Sequence, residues 1–310
     1  KTLDYAVSNA TLPAVLHIED DYVGYLSSAS SSKVFNGTVK IIGEGNWNGT
    51  GRTLIAGMRE DYNESSFSFT QSGNGGMYVS TTSAAKNYRA QFDLRFVDED
   101  NFPLPITYAA DTATCSATPG TYHWDAANSD LYVNMVDGAK PNPMVNWIYT
   151  QSPYDFEVEQ GDTSINGKIL VENIDFFSNL GTATKAAFRY RPTIVSAKNS
   201  TTIGVKNANA FGASGNGFQI YDADVAVVQN CRSKYTNSDG YNYHSFITGG
   251  TKGEYCTVYE HDCLASFAGF GVNWNDQTSL GNSENGSSTH DNMHALRTNT
   301  VCHTTHGAVI

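Results

Sequence analysis

Acidic side chains in the second half of the sequence could supply the two groups that cut a glycosidic bond. Glycoside hydrolysis uses one carboxyl group to protonate the leaving oxygen and another to activate water or attack carbon, about 5 to 10 Å apart. Asp239 precedes Gly240, which begins an apolar segment, and Glu260-His261-Asp262 places three ionisable residues next to one another. We predict Asp239, Glu260 and Asp262 as catalytic residues; an ordinary turn or surface role is the alternative for each.

Histidines later in the chain fit a different reaction. A lyase removes the proton beside a uronic carboxylate with a basic side chain and stabilises the enolate with a cation. His244 and His290 are candidates for the base, and Arg297 is a candidate for binding the substrate. His290 and His294 have a spacing that brings two metal ligands together on a helix but not on the strand or loop expected here. We expect neither a metal site nor a cofactor.

Aromatic and amide side chains in the same region could bind a sugar. The C–H face of a sugar packs on an aromatic ring while its hydroxyls bond to amide and carboxylate groups. The substrate-binding candidates are Trp274, Tyr221, Tyr235 and Asn242. Burial in the core or in a subunit interface is the alternative for each ring.

The composition indicates a folded chain built from strands. The 310 residues are 40% hydrophobic and only 16% charged, with many Gly, Asn, Ser and Thr residues, which suits turns and strands better than long helices. A net charge of −12 without a Lys or Arg cluster argues against nucleic acid and anionic membranes as partners. No stretch approaches the roughly 20 apolar residues that insertion into a bilayer needs. The five cysteines lack CxxC pairs, and we interpret them as small buried residues.

Internal repetition is the strongest signal for the elements that position these residues. A Val-x-Asn step recurs at Val171, Val205 and Val228, at spacings of 34 and 23 residues. Gly217 and Gly240 each begin a segment in which large apolar residues occupy every second position. Repeats of this length predict a solenoid, here a parallel β-helix in which equivalent positions stack about 4.8 Å apart. A β-sandwich is the competing architecture, but it predicts no such stacked positions.

The repeats also predict which side chains stack. The predicted inward pairs are Phe218 with Tyr241 and Ile220 with Tyr243, and the predicted outward pair is Gln219 with Asn242. A further circuit places the phrase that starts at Cys263 over the phrase that starts at Cys231.

Three segments make up the predicted organisation. Residues 1–33 form a capping segment that ends in a Ser-rich run, and residues 34–310 form the β-helix. An insert near 100–155 contains a β-hairpin in the sequence Tyr122-His-Trp-Asp125 to Leu131-Tyr-Val133. Because the sequence ends at Ile310 within a strand-like phrase, we expect the coils to continue beyond it.

The phrases Asp239-Gly-Tyr-Asn-Tyr-His244 and Glu284-Asn-Gly-Ser-Ser-Thr-His-Asp291 resemble loops of the pectate-lyase-like β-helix superfamily, particularly bacteriophage tailspike and capsule-depolymerase proteins. The predicted hairpin looks like the insert that such chains carry before their regular coils. The resemblance is one of pattern, spans roughly residues 34–310, and is more specific for fold than for reaction. It implies a right-handed parallel β-helix, a homotrimer, a place on the virion tail beside other tail proteins, and a bacterial surface polysaccharide as ligand.

Three functions follow from these expectations. The first is a tailspike-type depolymerase that hydrolyses capsule, O-antigen or exopolysaccharide. The second is a glycan-binding or structural virion fibre that does not cut its ligand, and the third is a secreted extracellular polysaccharide lyase. The first two differ in whether Asp239, Glu260 and Asp262 lie close enough to cooperate in one groove.

Overall fold

In the computed structural model, most of the described residues lie in strands. The described residues are 6, 9–19, 23–25, 32–45, 53–56, 67–73, 75–81, 91–142, 147–149, 156–160, 167–177, 186–192, 199–213, 215–236, 238–244, 256–268, 287–290 and 293–303. Within them the protein belongs to the all-β class, as the composition predicts.

Three parallel sheets, A, B and C, account for most of the strands. Sheet A contains β1 (Ala14–Ile18), β4 (Val39–Gly43), β14 (Lys168–Glu172), β17 (Asn199–Lys206), β20 (Ala223–Gln229), β23 (Cys256–His261) and β26 (Met293–Thr298). Sheet B contains β2 (Val23–Tyr25), β5 (Leu54–Ala56), β15 (Asp175–Phe177), β18 (Asn209–Phe211), β21 (Arg232–Thr236), β24 (Leu264–Ala268) and β27 (Val301–His303). Sheet C contains β3 (Ser32–Phe35), β13 (Phe156–Gln160), β16 (Phe188–Pro192), β19 (Phe218–Tyr221), β22 (Tyr241–His244) and β25 (Ser287–His290).

The chain visits these sheets in a constant order, A then B then C. Each strand pairs in parallel with the strand of the same sheet one circuit later, as β17 does with β20 and β19 does with β22. Val171, Val205 and Val228 are register partners in three successive circuits, so the repeat predicted from the sequence is confirmed as a structural one. Strands β1 and β2, within the predicted capping segment, pair with β4 and β5.

Apolar side chains from all three sheets fill the interior between them. Phe218 stacks on Tyr241 with ring centroids 5.3 Å apart and planes only 6° from parallel, and Ile220 is the register partner of Tyr243. All four side chains are buried in one hydrophobic core, which confirms the predicted inward pairs. Each circuit therefore covers apolar surface of the circuit before it, and the stacked rings add about 1 kcal/mol per pair beyond simple burial.

A recurring asparagine makes the corner between sheets A and B. The corner residues have positive φ, a conformation that Asn and Asp tolerate better than other side-chain-bearing residues; they are Asn173, Asn207, Asn230, Asp262 and Asn299. Asn207 Nδ2 donates to Asn173 Oδ1 at 3.1 Å, and Asn230 Nδ2 donates to Asn207 Oδ1 at 2.9 Å. The Val-x-Asn step therefore encodes an inward valine followed by a corner asparagine.

A mixed sheet, antiparallel except for the parallel pairing of β9 with β10, is inserted between β5 and β13. Its elements are β6 (Thr70–Gln71), β7 (Met77–Thr81), β8 (Gln91–Val97), β9 (Pro103–Tyr108), the helix α1 (Thr112–Ala117), β10 (Thr121–Asp125), β11 (Asp130–Asn134) and β12 (Trp147–Tyr149). The hairpin predicted from the sequence corresponds to β10 and β11, which pair in antiparallel register. The described strands of the insert run from Thr70 to Tyr149, whereas the sequence suggested a start near residue 100.

Aromatic packing and an ion pair fix this insert on the outer face of sheet B. The ring of Phe92 lies 5.5 Å from Phe177 and 5.3 Å from Phe211, both in edge-on geometry, and all three are buried. Beside them, Lys234 Nζ lies 2.8 Å from Asp98 Oδ2 and 2.7 Å from Asp100 Oδ2. The outward side of sheet B is thus a packing surface for the insert at β15, β18 and β21.

Two further observations concern the described part of the chain. Cys115, Cys231 and Cys263 are buried free thiols and Cys302 is a half-buried one, in accord with their interpretation as small packing residues. No helix described here has the length and apolar character needed to cross a membrane.

Candidate functional site

The outer face of sheet C carries polar side chains at successive register positions. Strands β16, β19 and β22 alternate between large apolar residues that enter the core and polar residues on the other side. Arg189, Gln219 and Asn242 are register partners at one outward position. Three circuits of the chain therefore place one guanidinium and two amides side by side, with about 4.8 Å between strands.

Hydrogen bonds connect these groups from end to end. Arg189 Nε donates to Gln219 Oε1 at 2.9 Å, and Gln219 Nε2 donates to Asn242 Oδ1 at 3.4 Å. Asn242 Nδ2 donates to Asp239 Oδ2, and the backbone N–H of Asp239 donates to Asn216 Oδ1 at 3.1 Å. We call Arg189, Gln219, Asn242 and Asp239 the sheet C polar row. Because it begins at a cation and ends at a carboxylate, each amide is held in one orientation.

The accessible end of the polar row lies at Arg189. Gln219, Asn242 and Asp239 are buried, whereas Arg189 and its neighbour Tyr221 are half-buried. The guanidinium carbon of Arg189 lies 6.0 Å from the ring centroid of Tyr221, within range of a cation–π contact. Asn242 is directed outward as predicted but is covered, so it orients its neighbours rather than meeting a ligand directly. Arg189 and Tyr221 form the part of the row that a ligand can reach.

The predicted histidines share a neighbouring position on the same sheet. Tyr221 pairs with His244, and His244 pairs with His290, in parallel backbone register. The side chains of both histidines, and Trp274 as a whole, lie outside the described residues. The backbone thus brings Tyr221 and the two predicted bases into one line, beside the sheet C polar row.

Glu260 lies in the interior between the sheets and not on the surface expected for a catalytic carboxylate. It is 1% exposed and occupies the inward position held by Val228 one circuit earlier and by Arg297 one circuit later. Tyr243 Oη donates to Glu260 Oε2 at 2.7 Å, and Arg297 Nε lies 3.9 Å from the same oxygen. Burial, together with the charge of Glu260, raises the pKa of Tyr243 well above its usual value, so the phenol stays protonated as the donor. Arg297 therefore partners an interior carboxylate rather than lining a surface cleft.

Asp262 and Asp239 lie in two further environments. Asp262 is exposed at the corner between sheets A and B, where it has φ of 52° and accepts a hydrogen bond from Asn299 Nδ2. Asp239 is buried at the end of the sheet C polar row. The three carboxylates predicted for hydrolysis therefore do not face one common groove: one is in the interior, one at a corner and one covered beside β22.

Tyr235 contributes to the contact between the insert and the coils. Its ring is buried and its hydroxyl donates to Asp98 Oδ2 at 3.0 Å. Burial and the neighbouring charge of Asp98 raise its pKa far above the usual tyrosine value. Since this ring is covered by the insert, we do not retain it as a sugar platform.

The Val-x-Asn repeat in the sequence already contains the information that places Glu260 and Asp262. The Val-x-Asn step continues as Glu260-His261-Asp262 and Arg297-Thr298-Asn299, which aligns Glu260 with an inward valine and Asp262 with a corner asparagine. Arg189 was missed because its phrase, Phe188-Arg-Tyr190, lacks the opening glycine of the later circuits although it has the same alternation. Gln219 was predicted to face outward but was not assigned to a site.

Neither the search for metal ligands nor the comparison with known proteins identifies a further functional residue. Among the residues that the structure describes, no three His, Cys, Asp or Glu side chains converge as a metal site would require. Comparison with known proteins finds no family model that matches the chain, no similar curated protein and no similar solved structure.

Proposed function

We propose that this protein is a right-handed parallel β-helix that binds a bacterial surface polysaccharide on the outer face of sheet C. The chain contributes strands to three parallel sheets in the same order in every circuit, which is the arrangement that a β-helix requires. The asparagine corners and the stacked rings of the interior repeat with the same period. These features support the fold part of the proposal.

The sheet C polar row carries the binding part of the proposal. A polysaccharide presents hydroxyls and C–H faces, which suit a polar donor next to an aromatic ring. Arg189 and Tyr221 supply this pair at the surface, and the buried amides behind Arg189 hold its guanidinium in place. Such support from neighbouring groups reduces the ordering cost of binding.

The placement of the carboxylates favours binding without hydrolysis. Asp239, Glu260 and Asp262 occupy separate environments, whereas hydrolysis needs two carboxyl groups on either side of one bond. A lyase is the second candidate because His244 and His290 share the register line of Tyr221, and Arg189 could take the cationic role first given to Arg297.

The resemblance to phage tailspikes extends the proposal to a homotrimeric virion spike that contacts other tail proteins. A row of exposed apolar residues on the outer face of sheet A suits contact with further copies of the chain. Val227, Tyr259 and Leu296 are register partners in successive circuits, and Leu296 is 56% exposed. Adjacent exposed apolar side chains of this kind mark interaction surfaces.

A binding assay on a panel of bacterial surface polysaccharides tests the function. Full-length protein, Arg189→Ala and Tyr221→Ala are compared with Lys206→Ala, which removes a partly exposed cation from sheet A instead. We expect at least about tenfold weaker binding for the two sheet C variants, equivalent to about 1.4 kcal/mol, and no change for Lys206→Ala. Equal binding by all four proteins would refute the site.

The same incubations separate binding from cleavage. Reducing ends and the absorbance of unsaturated uronates are followed together after each polysaccharide is added. Binding with neither signal supports the leading proposal. Reducing ends with the absorbance establish the lyase, and reducing ends without it establish hydrolysis by residues other than the three predicted carboxylates acting together.

A further inference from the structure

A hydroxyl, an imidazole and a carboxylate form a hydrogen-bonded chain at the corner between sheets A and B. His261 Nδ1 lies 2.7 Å from Thr298 Oγ1, and His261 Nε2 lies 3.0 Å from Asp262 Oδ2. An ionised carboxylate can only accept, so Asp262 takes the Nε2 proton of the neutral ring. This leaves Nδ1 to accept the hydrogen bond that Thr298 donates. We call Thr298, His261 and Asp262 the corner triad.

Pairing between circuits brings this triad together. His261 ends β23 and Thr298 ends β26, and the two residues are register partners on sheet A. All three members of the triad are exposed, so a small molecule can reach the hydroxyl. Tyr259 and Leu296, two positions earlier on the same strands, share the outer face and are 45% and 56% exposed. They place apolar surface beside the hydroxyl.

Asp262 stands where the corners of the earlier circuits carry asparagine. An asparagine at a corner both donates and accepts, as Asn207 does with the circuits before and after it. Asp262 accepts from Asn299 Nδ2 but cannot make the donation to Asn230 that an asparagine in its place could make. The corner alone therefore favours asparagine, whereas a carboxylate next to His261 can stabilise a protonated ring.

We propose that the corner triad hydrolyses carboxylic esters with a small acyl group, such as O-acetyl esters. Thr298 Oγ1 attacks the carbonyl carbon, and its proton passes to His261 Nδ1. When the ester C–O bond breaks, His261 gives this proton to the departing alkoxide, and the acyl group stays on Thr298. Asp262 is a positioning residue that holds the ring and stabilises its protonated form.

Water completes the reaction. It attacks the acyl-threonine, and His261 passes the proton of the water to Thr298 Oγ1 as the carboxylic acid leaves. The acyl methyl group packs beside Tyr259 and Leu296, which an apolar ester suits better than a hydrated sugar chain does. The activity does not depend on polysaccharide binding at sheet C, so either proposal can fail without the other.

Ester hydrolysis by the full chain tests the proposal with 4-nitrophenyl acetate and glucose pentaacetate as substrates. The variants are Thr298→Val, Thr298→Ser, His261→Gln and Asp262→Asn. The matched control is His17→Gln, because His17 is another exposed histidine of sheet A that pairs with a carboxylate, that of Glu44. Release of 4-nitrophenolate and acetate gives kcat and KM, and peptide mass spectrometry after rapid acid quenching detects acetyl groups on Thr298.

We expect Thr298→Val and His261→Gln to lower kcat/KM at least about a hundredfold, Thr298→Ser to retain activity, and His17→Gln to change nothing. Asp262→Asn should lower kcat at least about tenfold without changing KM, while its urea midpoint should not fall, since asparagine restores the corner donor. A purely structural Asp262 would not separate activity from stability in this way.

Rates for the unchanged protein no higher than those for His261→Gln would overturn the proposal. Full activity of Thr298→Val, or acetyl groups found on other residues but not on Thr298, would overturn it as well.

Discussion

The ion pair between sheet B and the insert offers the most direct test of how the insert is attached. Lys234 is 2% exposed, and its Nζ contacts both Asp98 and Asp100 at hydrogen-bonding distance. Replacement by methionine, Lys234→Met, keeps a chain of similar length but removes the charge. Two carboxylates then face one another without their shared cation, in a region where water has limited access.

The expected loss of stability can be worked from burial. Removing one partner of a buried pair costs about 3 to 5 kcal/mol because the other charge stays in a poorly solvated place. The side chains of Asp98 and Asp100 keep 13% and 18% exposure and regain some hydration, so we expect the lower end, about 3 kcal/mol. The matched control is Lys206→Met, because Lys206 is 44% exposed and lies 3.9 Å from Glu172. An exposed pair of this kind contributes less than about 1 kcal/mol.

Urea unfolding of the full chain, followed by circular dichroism and fluorescence, measures both variants. The triple variant Lys234→Met, Asp98→Asn, Asp100→Asn should recover part of the loss because its amides carry no charge. If Lys234→Met lost no more stability than Lys206→Met, the charge of Lys234 would not be what offsets the burial of Asp98 and Asp100.

Three further predictions concern packing and chemistry within the coils. Burial, with the charge of Glu260, raises the pKa of Cys302 to about 11. Alkylation of this thiol at pH 8, measured by peptide mass spectrometry, should therefore be on the order of a hundredfold slower in the folded protein than in the unfolded chain. Equal rates would contradict this expectation. A Cβ at Gly217 would lie 2.0 Å from Ser233 Oγ, so Gly217→Ala should lower the free energy of unfolding, measured in urea, by about 2 to 3 kcal/mol. A Cβ at Gly75 would have no atom within 4 Å, so the control Gly75→Ala should leave it nearly unchanged. Asn207→Ala removes one donated and one accepted hydrogen bond between corner asparagines, at a residue whose φ is 50°. It should lower the free energy of unfolding by about 2 kcal/mol, and Asn207→Gly should lower it less. A loss below about 0.5 kcal/mol for Asn207→Ala would refute the stabilising role of these corner hydrogen bonds.

Local alternation explains why the stacking of the interior could be predicted from the sequence. Phe218 and Tyr241 occupy equivalent places after a glycine, and a period of two residues is enough to assign one face to the core. The covering of Gln219 and Asn242 could not be derived in this way, because alternation tells on which side of a strand a residue lies but not what lies over it. Arg189, Gln219 and Asn242 come together only through pairing between circuits.

Glu260 shows where residue type is a poor guide to environment. A glutamate beside a histidine and an aspartate reads as a surface cluster, since isolated buried carboxylates are rare. Its hydroxyl partner, Tyr243, comes earlier in the chain and its cationic partner, Arg297, comes a full circuit later. The register of the repeat, rather than the chemistry of the phrase, decides that this carboxylate belongs to the interior.

The outer faces of the three parallel sheets differ in chemistry, and this difference decides which face suits the polysaccharide ligand that we propose. The insert covers sheet B at Phe177 and Phe211 through Phe92, so this part of its outer side is not available to a ligand. Sheet A presents apolar side chains in line, which suits protein contact better than a hydrated sugar chain. Sheet C combines a hydrogen-bonded polar row with the partly exposed pair of Arg189 and Tyr221, so of the three faces it has the chemistry closest to that of a glycan-binding surface.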